Sequence, residues 1–313
     1  MNVQSESGGG SRPPGIVVTV LATWRPKFLL LPPLCVALGA AAARWSGLSF
    51  STVDALWVVL GALAAHASVN GLNEWHDFKT GLDAQTLRTP FSGGSGALVA
   101  LPSAAPAALV AALLLLALAA AVGLLFMLRQ GPALLPLGLA GVVLVVAYTP
   151  WITHWPWACL LAPGLGFGPF MVVGAQLALT GQHGAAAWAA SVVPLAGVSG
   201  LLLLNQFPDV DADRQVGRRH LPMLLGRPQA ARVWAVLQGG GYAGLVAAVA
   251  LHALPVAALL GLLTLPLALA VARGALAHAD DLGALLPTLG LNVAYTLATP
   301  ALVALGLFMA APR

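Results

Sequence analysis

From Lys27 onward the chain is written in long apolar blocks separated by short polar breaks. Blocks of about 20 apolar residues are what a helix needs to cross the hydrocarbon layer of a bilayer. The pattern predicts about nine such spans, at approximately 27–47, 51–72, 103–128, 132–149, 158–180, 186–207, 229–252, 254–273 and 285–310. Residues 1–24 read as a separate piece: a Ser- and Gly-rich flexible tail through Pro14, then Ile16–Trp24, too short to span and suited to an interfacial or capping segment. Residues 25–313 read as one all-α integral-membrane bundle. Pro163, Pro169 and Pro194 fall inside spans, which bundles tolerate because neighbouring helices satisfy the freed backbone groups. Gly164, Gly166, Gly168, Gly197 and Gly200 are positions where helices can approach closely.

Composition sharpens this picture. Of 313 residues, 59% are hydrophobic, 8% are charged, and mean hydropathy is +0.89, far outside the range of soluble domains. The basic balance does not point to nucleic acid, because nine spans distribute the cations unevenly. Arg12, Arg25, Lys27, Lys79, Arg88, Arg214, Arg218, Arg219, Arg227, Arg232 and Arg273 share one face; Arg44, Arg129 and Arg313 lie on the other. Cations concentrate on the cytoplasmic side of membrane proteins, so the first face is expected to be cytoplasmic, in a cell inner membrane. Cys35 and Cys159 sit in apolar blocks and make no metal-ligand cluster.

Two polar islands interrupt the grease on that same face. The first, Asn73 to Asp83, follows span two; the second, Asn205 to Arg214, follows span six. If span two stays helical past Asn73, then Asn73 and Asp77 lie one turn apart on one face, Gly81 breaks the helix, and Asp83 returns from the turn. Asn205, Asp209 and Asp213 repeat the spacing, with Asp211 on another side. Carboxylates beside a membrane helix are costly unless paired, solvated or coordinating. Carboxylate and amide oxygens are the ligands Mg²⁺ takes, with substrate phosphates completing its shell. Lys79, Arg88 and Arg214 interleave with the acids and suit a diphosphate. For Arg218 and Arg219 lipid-headgroup contact is the favoured reading. Residues 89–96, Thr-Pro-Phe-Ser-Gly-Gly-Ser-Gly, read as a mobile cover. Asn70, one turn above Asn73, and Gln176 in span five are candidates for lining the substrate cavity, with helix–helix hydrogen bonding the favoured reading for Gln176. For His66 a buried, hydrogen-bonded structural role is favoured.

These motifs resemble the UbiA superfamily of membrane prenyltransferases. The family's paired signature, Asn-Asp-x-x-Asp with a further Asp and Asp-x-x-x-Asp, reads here as Asn73-Glu74-x-x-Asp77 with Asp83, and Asp209-x-x-x-Asp213. The extended first motif, the stretch Asn205–Arg219 and Arg25-Pro26 look most like the branch that prenylates 1,4-dihydroxy-2-naphthoate. The resemblance implies Mg²⁺ held by Asn73, Glu74, Asp77, Asp83, Asn205, Asp209 and Asp213. It implies a prenyl diphosphate gripped by Lys79, Arg88, Arg214 and Arg25, and an aromatic acceptor. Tyr148 matches a family position near the diphosphate, where its ring could stabilise a carbocation. Two departures stand out: Glu74 replaces the usual Asp, and the loop at 149–157 is aromatic rather than charged. Other outcomes of the same residues are terpene cyclisation without an acceptor and, in another class, ion-coupled transport.

Overall fold

A computed structural model describes residues 15–86 and 88–312. Among them every regular element is helical. In chain order these are α1 (Ile16–Thr23), α2 (Leu31–Trp45), α3 (Thr52–Thr80), α4 (Ala97–Ala100), α5 (Ala105–Gln130), α6 (Leu135–Ala147), α7 (Pro156–Leu165), α8 (Gly174–Thr180), α9 (Ala185–Asn205), α10 (Val210–Gln215), α11 (Leu221–Leu225), α12 (Arg227–Ala250), α13 (Leu265–Ala277) and α14 (Leu282–Met309). The tail before Gly15 lies outside the described residues.

Seven helical runs are long and apolar enough to cross a membrane, and eight if the bent pair Ile16–Phe28 and Leu31–Trp45, angled by 48°, counts as one. The block expected at 132–149 forms a shorter apolar helix, Pro132–Ala147. The chain is a multi-pass integral membrane protein, and its outward surface is correspondingly apolar, with Leu114, Val143, Val236 and Leu263 all well exposed.

α9 is the most enclosed span, with 67% of its apolar window buried. It is flanked by α7, α12, α14 and α2. Small residues allow that crowding. A Cβ at Gly168 would lie 2.6 Å from the Ser191 carbonyl oxygen, and one at Gly164 would collide with that of Leu195, so the two glycines one turn apart let α7 and its continuation lie on α9. α3 packs along α5. Between α7 and α8 the backbone widens into a π-helical stretch, Gly166–Val173, around Pro169. A proline cannot donate to the preceding turn, and a wider turn accommodates it.

The two polar islands lie at helix ends on one side of the bundle. α3 does continue past Asn73, to Thr80, and Gly81 ends it in the left-handed region at φ 77°, where a side chain would be strained. The second island is less regular than its spacing suggested. α9 stops at Asn205, the chain turns through Pro208, and α10 restarts after Asp209.

Candidate active site

One cavity of about 610 Å³ runs from the polar islands into the bundle. Its mouth includes Asn73, Asp77 and Asp83 from the first island and Asn205, Asp209 and Asp213 from the second, so the structure brings the two motifs together as expected. Asn70 and Tyr148 also line it. Deeper, the walls are apolar: Val58, Leu137, Phe167, Phe170, Met171 and Leu297 among others. The acids sit at the helix ends and not midway along the spans, an arrangement unlike the midplane sites of carriers.

Arg218 is the centre of the mouth. It forms an ion pair with Asp77 and a second with Asp213 Oδ1 at 3.0 Å, joining the two motifs directly. On the far side of Asp213, His220 Nε2 lies 2.7 Å from Oδ2. Burial opposes the charge on Arg218, yet Asp77 and Asp213 hold its pKa above the ordinary value. The favoured lipid-headgroup reading for Arg218 is therefore corrected. The chain folds back because Gly217 takes φ 79°, reversing direction just after α10. That glycine was the available signal, since a left-handed turn four residues after Asp213 returns Arg218 and His220 to it.

Several buried oxygens at the mouth have no hydrogen-bond partner: Asn73 Oδ1, Asp83 Oδ2, Asn205 Oδ1 and Asp209 Oδ1. Unsatisfied buried acceptors of this kind are rare and call for a donor or a cation. Burial, reinforced by Glu74 and Asp77, raises Asp83 to about 7; burial and Asp213 raise Asp209 to about 7. Oxygen donors of this hardness fit Mg²⁺. Among the described residues no three His, Cys, Asp or Glu side chains form a metal-binding group by themselves. Mg²⁺ commonly takes one or two carboxylates and completes its shell with phosphate and water.

Glu74 has a different role from the one its motif position suggested. It is fully buried, and its Oε1 accepts from Arg25 Nε and from the Ser95 N–H, each at 2.7 Å. Its Oε2 accepts from Ser95 Oγ at 2.6 Å. Both oxygens are thus committed to protein donors. The glycine-rich segment also approaches the second motif, where the Gly93 backbone lies close enough to the Asp209 carboxylate to favour its charged form. It lies across the mouth as a clasped strap between the motifs. Arg25 reaches Glu74 from a backbone at φ 52°, a left-handed conformation that costs a side-chain-bearing residue about 1–2 kcal/mol. The charge-assisted bonds to Glu74 offset that strain.

The other expected contacts divide. Lys79 is exposed and does not line the cavity. Arg88 is exposed and donates to the Asp83 backbone oxygen at 2.9 Å, so it buttresses the turn. Arg214, 63% exposed, faces Asp211 across 3.8 Å, away from the mouth. Gln176 is fully buried outside the cavity lining. Asn70 donates to the Trp24 carbonyl at 2.9 Å, linking α3 to the start of the chain. The Tyr148 hydroxyl lies 3.8 Å from Cys159 Sγ, itself a cavity-lining atom group that accepts from Gln206 at 3.2 Å.

An intramembrane helical bundle with an acidic, amide-rich mouth opening into a hydrocarbon-lined chamber defines a membrane enzyme for an amphiphilic substrate. The UbiA prenyltransferase family matches residues 30–283, and the chain belongs to that family of enzymes. A UbiA homologue from Aeropyrum pernix K1 superposes with a TM-score of 0.67 at 18% identity, covering 90% of this chain and 96% of that one. A UbiA homologue from Archaeoglobus fulgidus, solved with DMAPP and Mg²⁺, gives 0.60 at 17% identity over 91% and 99%. A digeranylgeranylglyceryl phosphate synthase gives 0.59 at 15% identity over 94% and 99%. No curated protein sequence matches the chain.

Proposed function

We propose that this protein transfers an isoprenyl group from a prenyl diphosphate to an aromatic acceptor such as 1,4-dihydroxy-2-naphthoate or a related quinone precursor, with Mg²⁺. The observation that carries the reading is the single cavity whose mouth gathers both acidic motifs and whose interior is hydrocarbon-lined. A charged head and an apolar tail are the two ends such a cavity would hold. The A. fulgidus homologue has been solved with DMAPP and Mg²⁺, and again with GPP and Mg²⁺, which supports the donor class.

Asn73, Asp77, Asp83, Asn205, Asp209 and Asp213 are the residues that would hold the ion. When bound, Mg²⁺ supplies positive charge to the diphosphate as it leaves. Arg25 and Arg218, both lining the mouth, add fixed cations for the same group. The C1–O bond breaks with its electron pair leaving on the diphosphate. Tyr148 presents its ring to the allylic cation, and the apolar walls keep water from quenching it. A ring carbon of the acceptor then forms the new C–C bond and gives up its proton to the departing diphosphate. The cation-rich face would be cytoplasmic, in a cell inner membrane.

The test is incubation of purified protein with Mg²⁺, prenyl diphosphates of several lengths and a panel of hydroxylated aromatic acceptors, with products identified by mass. Prenylated acceptor is expected, lost in EDTA and in Asp209→Ala while the protein stays monodisperse in detergent. A cyclic hydrocarbon made without acceptor would overturn the transfer reading, and activity retained in Asp209→Ala would overturn the metal site.

A further inference from the structure

The hydrocarbon part of the cavity contains one polar group that no part of a prenyl diphosphate can satisfy. His66 lies on α3, seven residues before Asn73, which places it about 10 Å further down the helix axis. It lines the cavity among Ala62, Val69, Phe167 and Met171. The residue is 8% exposed. Its ring meets Phe167 edge-on, with centroids 4.9 Å apart and planes at 81°. Nδ1 is sealed without a partner, Nε2 is not sealed, and among the described residues neither ring nitrogen makes a hydrogen bond. The expectation of a hydrogen-bonded structural histidine is therefore not met.

Buried polar groups are almost always hydrogen-bonded, and leaving one unpaired is unfavourable. An isoprenyl chain is hydrocarbon throughout and would leave the imidazole unpaired. With Nδ1 sealed, Nε2 is the nitrogen open to a ligand: as N–H it donates to a ring carbonyl, and as the bare nitrogen it accepts from a phenolic O–H. Phe167 meets the imidazole edge-on and lines the cavity with Met171, an aromatic and a thioether contact suited to an aromatic ring. We infer that His66 hydrogen-bonds a hydroxyl or carbonyl of a ring-bearing second substrate inside the chamber, and so selects which acceptors are used. The inference rests on the prenyl-transfer reading above and narrows it to acceptors that carry an oxygen on or beside the ring.

The experiment compares the full-length protein with His66→Phe, which keeps an aromatic ring against Phe167 but cannot hydrogen-bond, and His66→Gln, which can. Geranyl diphosphate, Mg²⁺ and hydroxylated aromatic acids and hydroquinones, 1,4-dihydroxy-2-naphthoate included, are supplied, and KM is measured separately for donor and acceptor. In His66→Phe the acceptor KM should rise about fivefold to tenfold, the worth of one hydrogen bond, with donor KM unchanged. His66→Gln should stay within about twofold of the unmodified protein. An unchanged acceptor KM in His66→Phe, or a parallel rise for donor and acceptor, overturns the role of His66 while leaving prenyl transfer in place. Diphosphate release by the unmodified protein with no transfer to any hydroxylated ring also overturns it, leaving the diphosphate site in place. No diphosphate release at all overturns the transfer reading and this inference together.

Discussion

Glu74→Asp separates a metal ligand from a clasp. The shorter side chain keeps its charge but retracts by one methylene. It cannot hold Arg25 on one side and both the N–H and the hydroxyl of Ser95 on the other, where every bond is now 2.6–2.7 Å. Charge-assisted hydrogen bonds are worth about 1.5–3 kcal/mol each. Ser95 is exposed, so water replaces part of what is lost, and about 2 kcal/mol remains for the two bonds together. That corresponds to a roughly 30-fold rise in the open population of the strap. Hydrogen–deuterium exchange over residues 88–97, in detergent with EDTA, reads it directly. Exchange there should accelerate roughly 30-fold in the variant while α9 and α12 are unaffected. The absence of metal is the essential condition. If Glu74 acted as a metal ligand, Glu74→Asp would leave exchange unchanged in EDTA and alter it only when Mg²⁺ is added, and that result would refute the clasp.

Arg218→Ala should leave Asp77 and Asp213 buried without their shared counter-charge. Removing one partner of a buried pair costs about 3–5 kcal/mol, so the variant should unfold at markedly lower temperature in EDTA and recover much of the loss on adding Mg²⁺; a metal-independent loss would show that Arg218 does not share the cation's place. Asp83 and Asp209 titrate near 7 when folded against an ordinary value near 3.8. Between these values the folded state holds protons the unfolded state does not, so their contribution to apo stability falls as pH rises from about 4 to about 7. Metal needs the deprotonated forms, so the Mg²⁺ concentration for half-saturation should fall as pH rises from about 6 to about 8. A pH-independent Mg²⁺ affinity across that range would argue against both carboxylates as ligands.

The helical class, the length of α3 and the meeting of the two islands were legible because each depends on local rules: apolar length, one-turn spacing and a helix-ending glycine. Lys79 could also have been read correctly. It follows Asp77 by two residues, about 200° around the helix, and so points away from the face that carries the acids. Arg218 and His220 were harder, since their side chains arrive through the left-handed turn at Gly217 rather than along a helix face. Glu74 was hidden for a different reason. Its partners, Arg25 and Ser95, are 49 and 21 residues away, and no periodicity links residues at such separations. His66 looked structural because buried histidines usually have partners; its lack of one becomes visible only in three dimensions.

The widened turn at Gly166–Val173 gives the chamber an adjustable floor. Ala175 and Ala178 face the cavity downstream of it, whereas Leu177 and Leu179 do not line it. Closing the stretch into an ordinary helix without removing a residue would rotate everything after it by about 100°. Bulky leucines would then exchange places with alanines in the chamber wall. A relative could therefore alter the room for its isoprenoid tail by replacing Pro169, which does not itself line the chamber.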